Sequence, residues 1–323
     1  MPFTIIRASG NKTAEHRRCP HFCCGTVYLA LLFSWIVTTA TAAEQDPLPE
    51  STAALLWQPS MNVFRRYSVA PEKMFQFYGE VLGLEPLAGI NVGNGTQLAL
   101  YRVGTSQLKF TKVVPNRSYV PGGVPDATGL RLLTLYFTDE SRLTAKFRQY
   151  GYPAPRFRTY PGAGDRIALV SDPDGQWLEL VVPVTASEQS SATIEIGLTV
   201  SDIENSRAFY REFVGLEELP PVHDPLFDTM KYPYRHGSTI INLRSFGAQL
   251  PADTGSAGIQ YVVSDVDAVN ALAQARHLSF EQPLGSLPGF SLRTIWLNDP
   301  DGITNYFAET AYSRRKDLPA PVQ

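Results

Sequence analysis

The feature that most constrains what this chain can fold into is an internal repeat. Both halves carry an aromatic pair followed at one fixed spacing by Gly-Leu, as Phe77-Tyr78 before Gly83-Leu84 and Phe209-Tyr210 before Gly215-Leu216. Both halves also close on Asp-Pro-Asp-Gly, at 172–175 and 299–302. Landmarks that recur in one order indicate duplication. We therefore expect two copies of one domain, at residues 62–183 and 194–310.

Each copy reads as two smaller units made of a strand, a helix and three strands. Residues 193–200 alternate in the manner of a strand, and Ser201-Asp202-Ile203-Glu204 is a capping-box pattern that predicts the start of a helix. Short runs separated by Pro and Gly follow, which is typical of strands. The predicted fold class is α+β, with four βαβββ units in two tandem domains. Residues 184–193 read as a linker, 44–60 as a loose N-terminal segment and 311–323 as a C-terminal tail.

The N-terminal residues read as an export signal. An apolar run at 27–37 follows Arg17-Arg18 and precedes small residues at 38–43. This order predicts a signal peptide over residues 1–43, and the alternative is an uncleaved anchor formed by residues 27–40. Either reading places the protein outside the cytosol, in the periplasm or the extracellular space, and membrane contact is expected only through this segment.

Composition excludes two classes of function for the folded part. Cys19, Cys23 and Cys24 are the only cysteines and all precede the domains, so thiol chemistry within the domains is excluded. The formal net charge is -3 and the basic residues form no large cluster, so a nucleic acid is not an expected partner. The expected partner is a small molecule.

The order of these landmarks resembles the vicinal oxygen chelate superfamily, which includes glyoxalase I, bleomycin-resistance proteins and extradiol dioxygenases. The resemblance covers nearly all of the chain after the signal segment. It implies that paired units curl into a cup, and that side chains from the first and last strands of each unit hold a divalent metal. His, Gln and Glu are the usual ligands, because an open site of nitrogen and oxygen ligands polarises a carbonyl or binds two vicinal substrate oxygens.

The resemblance places the metal-ligand positions of this chain on mostly unsuitable residues. The first-strand positions fall on Phe64, Leu132, Glu195 and Gly258, and the closing-strand positions on Lys109, Glu179, Asn242 and Tyr306. Phe, Leu and Gly offer no ligand atom, and Lys repels a cation. The first copy has no histidine, which excludes within it the two-histidine iron site of ring-cleaving dioxygenases. We therefore favour a cup without a metal cofactor.

Two ways of pairing the units lead to different sites. We expect pairing in sequence order, with Glu179 ending a strand and Glu195 satisfied by neighbours or water. In the alternative, the second unit pairs with the third and the first with the fourth. Glu179, Glu195 and Asn242 then converge as an oxygen-only site suited to Mg²⁺, Mn²⁺ or Ca²⁺, and the two glutamates become the candidate catalytic residues.

Other residues are candidates for a ligand pocket. Lys109 and Tyr306 occupy expected inward positions of a metal-free cup. Arg102 and Arg235 recur with the repeat, and either can clamp an anion at a cup rim, with His236 beside Arg235. The competing interpretation makes both arginines surface charges on alternating strands.

Three functions follow as hypotheses. The favoured one is an exported, metal-free protein that binds a small, partly apolar molecule in its cup, as bleomycin-resistance proteins do. The second is a metal-dependent lyase or isomerase of glyoxalase type that uses Glu179 and Glu195, and such an enzyme is expected before an extradiol dioxygenase. The third is a non-catalytic interaction module of the cell envelope. The pairing of the units decides between the first two.

Overall fold

The computed structural model describes residues 47–92, 96–113, 116–247 and 249–314. The predicted signal peptide, its alternative as an anchor, and most of the predicted C-terminal tail lie outside the described residues. From Pro47 onward the described residues form one compact unit. Within these ranges, no helix has both the length and the apolar character needed to span a membrane.

Each of the four predicted units is present. The first unit contains β1 (Asn62–Tyr67), α1 (Pro71–Phe75) with a π-helical turn (Gln76–Val81), β2 (Glu85–Asn91), β3 (Gln97–Val103) and β4 (Ser106–Lys112). The second contains β5 (Gly129–Tyr136), α2 (Glu140–Gln149), β6 (Arg158–Thr159), β7 (Arg166–Ser171) and β8 (Trp177–Val182), and the short helix α3 (Glu188–Ser191) follows it. The third contains β9 (Ile194–Thr199), α4 (Ile203–Arg207) with a π-helical turn (Ala208–Phe213), β10 (Glu217–Glu218), β11 (Val222–Asp224), β12 (Thr229–His236) and β13 (Thr239–Arg244). The fourth contains β14 (Ala257–Val262), α5 (Val266–Ala275), β15 (Ser279–Ser286), β16 (Leu292–Asn298) and β17 (Thr304–Thr310).

The repeated aromatic pairs lie in the two π-helical turns. The Leu82 N–H donates to the Phe77 carbonyl at 2.9 Å, five residues back, so the turn is one residue wider than an α-helical turn. Both Phe77 and Tyr78 are fully buried as a result. Gly83 then takes a φ of 73°, which ends the helix in the left-handed region that glycine tolerates. The second copy repeats this geometry, so the landmark residues are explained by burial and helix termination.

The Asp-Pro-Asp-Gly segments form the predicted tight turns between the last two strands of units two and four. Their first aspartates accept hydrogen bonds from the repeated tyrosines: Tyr78 Oη donates to Asp172 at 2.9 Å, and Tyr210 Oη donates to Asp299 at 2.7 Å. Asp172 is also paired with Arg65 at 3.3 Å. Asp299 has no cation partner among the described residues, and burial raises its pKa to about 7. Each turn thus ties a closing hairpin to the helix of the preceding unit.

The strands form two mixed sheets, and each sheet takes one unit from each copy. One has the order β15-β16-β17-β14-β1-β4-β3-β2, which joins the first unit to the fourth. The other has the order β10-β12-β13-β9-β5-β8-β7-β6, which joins the second to the third, and β11 pairs with β12. The central contacts, β1 with β14 and β5 with β9, are antiparallel. Our expectation of pairing in sequence order is therefore wrong, and the alternative pairing is the observed one.

The connections between units explain this arrangement. Residues 183–193 lead from β8 to β9 within one sheet, whereas the consecutive strands β4 and β5 lie in different sheets. Units two and three are therefore neighbours both in sequence and in space, as consecutive elements usually are. Buried apolar residues of both sheets and of the helices form one continuous core.

The segment before β1 is ordered where the structure describes it. Ala53–Leu55 forms a single 3₁₀ turn. Thr52 is fully buried and donates from Oγ1 to the Val214 carbonyl at 2.8 Å, and the Trp57 N–H donates to the Val262 carbonyl at 2.8 Å. The prediction of a loose segment at 44–60 is therefore wrong for residues 47–60, because buried backbone and side-chain bonds fix it to units three and four.

Candidate functional site

The sheet of units two and three presents two glutamates on one face. In the strand register, Thr134 of β5 lies opposite Glu179 of β8 on one side and opposite Glu195 of β9 on the other. Adjacent strands are separated by about 4.8 Å, so the two glutamate Cα atoms lie about 10 Å apart. Both side chains are half-buried and Thr134 is buried. We call this face, with Glu179, Thr134, Glu195 and Asn242, the carboxylate cup.

Hydrogen bonds hold both carboxylates in place. Thr134 Oγ1 donates to Glu179 Oε2 at 2.8 Å. Asn242 Nδ2 donates to Glu195 Oε2 at 2.6 Å, and Tyr136 Oη donates to Glu195 Oε1. The other end of the Asn242 amide is buried without a partner among the described residues, since Oδ1 accepts no hydrogen bond. The cup therefore contains two carboxylates and one unused amide oxygen.

Glu179 is poised to exchange a proton near neutral pH. Burial, and then the nearby Glu195 carboxylate, raise the pKa of Glu179 to about 6, while the Thr134 hydrogen bond acts in the opposite direction. Like-charged carboxylates with perturbed pKa values are typical of functional sites.

The remaining wall of the cup is partly apolar. Trp177 and Phe227 lie with their ring centroids 6.4 Å apart, and the Arg244 guanidinium is 5.5 Å from the Phe227 centroid. Arg244 donates from Nη2 to Asp224 Oδ2 at 2.7 Å, and its Nη1 is buried without a partner among the described residues. Leu132, the fourth expected ligand position, is buried and contributes no ligand atom.

The donor set of this cup fits a hard divalent cation. Two carboxylates and an amide oxygen provide three oxygen ligands, which suits Mg²⁺, Mn²⁺ or Ca²⁺ better than zinc. A cation between the two glutamates relieves their mutual repulsion, and a turn of the Asn242 amide brings its unpartnered Oδ1 toward that cation. The site then leaves coordination positions open for water or substrate.

The sheet of units one and four has a different set of side chains at the same places. Phe64 of β1 lies opposite Lys109 of β4 and opposite Gly258 of β14. Lys109 donates from Nζ to Gln260 Oε1 at 2.7 Å and lies 5.4 Å from the Phe64 ring centroid. Burial lowers the pKa of Lys109 to about 8. We call this face, with Lys109, Phe64, Gln260 and Tyr306, the lysine cup.

Tyr306 fills the space that a ligand from Gly258 would need. A Cβ atom on Gly258 would lie 2.6 Å from Tyr306 Cε2 and 2.9 Å from the Thr304 carbonyl oxygen. The Tyr306 ring packs 4.6 Å from Phe64 and 5.0 Å from Trp296 between centroids, and its hydroxyl accepts from Arg66. These residues offer a cation no anionic ligand.

The other predicted pocket residues are engaged elsewhere. Arg102 pairs with Glu85 at 3.0 Å, and Arg235 pairs with Glu217 at 3.3 Å, in each case across neighbouring outer strands. His236 shares a 2.6 Å hydrogen bond with the Gln58 carbonyl, and burial lowers its pKa. The structure does not bring these three residues to the four cup positions.

A second group of acidic residues lies outside both cups. Ligand atoms of Asp265, Asp267 and Glu309 lie within 4.8 Å of one another. Asp265 caps α5, Arg293 pairs with Asp267, and Arg314 pairs with Glu309. These contacts account for the cluster as a helix cap with its counter-charges.

Two clefts also lie away from the cup positions. One of about 370 Å³ includes Leu82, Arg102 and Lys146 in its lining, and another of about 600 Å³ includes Phe209 and His277. We place the chemistry in the carboxylate cup instead, because there two carboxylates and Asn242 are held together by side-chain hydrogen bonds.

Sequence reasoning missed Thr134, Tyr136, Arg244 and Gln260. Thr134 and Tyr136 are the two residues with a hydroxyl in the otherwise apolar segment from Leu132 to Tyr136, and they lie two positions apart. This spacing could have indicated that both hydroxyls lie on one face of the strand, since residues two apart share a face.

Comparison with known proteins agrees with this architecture. The profile of the Glyoxalase/Bleomycin resistance protein/Dioxygenase superfamily matches residues 61–180 and 193–307. The two matches cover most of the chain and coincide with its two copies. The chain belongs to this superfamily.

Individual relatives are distant. A lactoylglutathione lyase of Arabidopsis thaliana is 23% identical over 247 residues, which cover 72% of this chain and 84% of that protein. A point mutant of glyoxalase I from Zea mays superposes with a TM-score of 0.61 at 18% identity, covering 78% of this chain and 92% of that one. Glyoxalase I from Zea mays itself gives a TM-score of 0.55 at 17% identity. At these identities the structural likeness shows the fold alone.

Proposed function

We propose that this chain is a glyoxalase-type lyase or isomerase and that its reaction takes place in the carboxylate cup. The observation that carries the proposal is the pairing of the second unit with the third. This pairing puts Glu179 and Glu195 on one face of one sheet, on either side of Thr134. The distant likeness to a plant lactoylglutathione lyase supports the same reaction class.

In this proposal Glu179, Glu195 and Asn242 hold a divalent cation of the Mg²⁺, Mn²⁺ or Ca²⁺ type. Asn242 contributes Oδ1 once its amide turns, because that oxygen has no competing donor among the described residues. When bound, such a cation polarises two vicinal oxygen atoms of a small substrate. The proposed substrate class is therefore a hydroxycarbonyl compound.

Glu179 is the proposed base. Among the described residues its carboxylate accepts a hydrogen bond from Thr134 alone, whereas both oxygens of Glu195 accept one, so Glu179 is the freer of the two to receive a proton. It accepts a proton from the carbon that bears the hydroxyl and returns it to the neighbouring carbonyl carbon, while the hydroxyl proton passes to the former carbonyl oxygen. Atoms and electrons balance within the substrate, so this isomerisation needs no oxidant. Glu195, held by Tyr136 after the Asn242 amide has turned, fixes the geometry of the site.

Export is part of the proposal and rests on the sequence of residues 1–43. An exported enzyme is separated from the thiol cofactors of the cytosol. We therefore propose a substrate without a glutathione group. The metal-free binding function predicted from the sequence is retained as a proposal for the lysine cup alone.

Manganese binding tests the proposal. Titration of the purified protein with Mn²⁺ by isothermal calorimetry is expected to give one site, because the carboxylate cup supplies one set of three oxygen ligands. Glu195→Gln is expected to weaken Mn²⁺ at least tenfold, since it removes one of two charged ligands.

The matched control is Asp267→Asn, which removes a carboxylate from the acidic cluster at the start of α5. It is expected to leave Mn²⁺ affinity within twofold. Equal losses in both variants, or loss only in Asp267→Asn, would place the cation at the wrong cluster and sink the proposal. A protein that binds no Mn²⁺ and turns over no hydroxycarbonyl compound would favour the envelope interaction module.

A further inference from the structure

The buried cations of this protein fall into two groups. Five basic side chains are buried among the described residues: Arg65, Arg66, Lys109, Arg131 and Arg244. Three of them pair with an aspartate: Arg65 with Asp172 at 3.3 Å, Arg131 with Asp253 at 2.5 Å, and Arg244 with Asp224 at 2.7 Å. Arg66 and Lys109 have no carboxylate partner within the described part of the chain. Both exceptions lie in the lysine cup.

The partners of these two residues are neutral oxygens. Arg66 donates from Nη1 to the Gly255 and Ala257 carbonyls at 3.3 and 3.2 Å, and from Nη2 to the Tyr306 hydroxyl. Among the described residues, Lys109 has one acceptor, Gln260 Oε1, for the three protons of its ammonium group. A buried charge without a counter-charge is costly. An anion at Lys109 removes that cost.

The nearby carboxylate of Glu281 is already occupied. It pairs with Arg117, and it accepts a 2.5 Å hydrogen bond from Thr304 Oγ1. Arg66, Lys109 and Arg117 therefore face this cup with one carboxylate among them. After Arg117 pairs with Glu281, the positive charges of Arg66 and Lys109 have no carboxylate partner among the described residues.

The surrounding surface is aromatic and only partly covered. Phe64 and Trp296 flank Tyr306, with ring centroids 4.6 and 5.0 Å from it. Both outer rings are half-buried, so solvent reaches them, whereas Lys109 is 9% exposed. Flat apolar groups pack well against such rings. The cup thus combines one ammonium group with an apolar wall.

We propose that the lysine cup binds a small organic carboxylate with a flat apolar body, the carboxylate at Lys109 and the body against Phe64 and Trp296. This proposal rests on the metal-free binding function proposed for the lysine cup and names its ligand class, and the site is separate from the carboxylate cup. The positive charge of this cup attracts a carboxylate, whereas the corresponding neutral amide gains little binding energy from it.

The test uses 4-fluorobenzoate and its neutral counterpart 4-fluorobenzamide, with binding to the full chain followed by ¹⁹F NMR line width. The acid is expected to bind at least tenfold more tightly than the amide. Lys109→Met is expected to remove at least tenfold of the affinity for the acid, whereas Lys112→Met, an exposed lysine on the same strand, changes it less than twofold. Glu195→Gln is expected to leave it unchanged, so that failure of one site is distinguishable from failure of the other.

Two results would overturn the proposal. One is equal binding of acid and amide to the unmodified protein, a comparison that needs no variant to fold. The other is full affinity for 4-fluorobenzoate in Lys109→Met.

Discussion

The carboxylate cup and the lysine cup are built on corresponding strands of their units, yet they differ in every side chain at the four compared positions. The lysine cup has Lys109, Phe64, Gly258 and Tyr306 where the carboxylate cup has Glu179, Thr134, Glu195 and Asn242. An ammonium replaces a carboxylate, and an aromatic ring replaces a hydroxyl. The frame has been kept while the charge of the interior has been reversed.

The two faces of each sheet explain how the strand arrangement can be kept while the side chains of the cups differ. The frame depends on contacts outside the cups, such as Tyr78 with Asp172 and Tyr210 with Asp299, which both copies retain. Alternate residues of a strand point to opposite faces. Substitutions facing a cup therefore leave the frame contacts intact, and the two interiors can diverge on one scaffold.

The largest expected effect is at Gly258, which occupies in the lysine cup the position that Glu195 has in the carboxylate cup. Gly258→Ala puts a Cβ within 2.6 Å of the Tyr306 ring, so we expect a loss of about 3 kcal/mol in the free energy of unfolding from overpacking. Urea denaturation measures it. Gly285→Ala, where the nearest atom to the new Cβ is 3.9 Å away, is the control and is expected to change stability by less than about 0.5 kcal/mol. A Gly258→Ala protein as stable as the control would mean that the Tyr306 ring does not occupy the space beside Gly258.

The second effect concerns the buried ammonium group. Burial lowers the pKa of Lys109 from 10.5 to about 8, which corresponds to about 3 kcal/mol of destabilisation at pH 7. Lys109→Met removes this cost and the hydrogen bond to Gln260, so we expect a net gain of about 2 kcal/mol in the free energy of unfolding.

The sign of the pH dependence follows from the same shift. Between pH 8 and 10.5 the unfolded chain binds more protons at this lysine than the folded protein does, so the lysine makes stability rise with pH over that window. Arg66, Tyr306 and Glu281 face the same cup and are unchanged in the variant. The stability difference between Lys109→Met and the unmodified protein should therefore shrink as pH rises from 8 to 10.5, and a constant difference contradicts a buried charge.

The smallest effect concerns the hydroxyl between the two glutamates. Thr134→Val keeps the shape of the side chain and removes the 2.8 Å hydrogen bond to Glu179, so we expect a loss of about 1 kcal/mol in the free energy of unfolding. Thr111→Val, on the cup side of β4, serves as the control. Thermal unfolding of both variants checks the difference. If the two variants lose equal stability, the Thr134 hydroxyl contributes nothing beyond packing. The contrast between a polar Thr134 and an apolar Phe64 would then have no effect on stability.

The local parts of the fold were predictable from sequence because their causes are local. Gly83 and Gly215 end helices, and the turns at 172–175 and 299–302 join neighbouring strands. These features need only the residues beside them. The predicted order of a strand, a helix and three strands is confirmed for units one, two and four, and the third unit has four strands after its helix.

The pairing of the units was not predictable in this way. All four units share one pattern, so nothing in β1 alone favours β14 over β5. The choice depends on whether consecutive strands such as β4 and β5, or β8 and β9, stay in one sheet, which is a property of the whole chain. The meeting of Glu179 with Glu195 follows from that choice, and so the candidate site could only be written as an alternative.

The shared construction of the two cups also limits how this protein can change over generations. Because each cup takes one unit from each copy, loss of either copy opens both cups at once. A gene for half of the chain encodes two unpaired units with exposed sheet edges, not one simpler protein with one site. Removing one copy thus affects both cups, whereas a substitution at one cup position alters one cup alone.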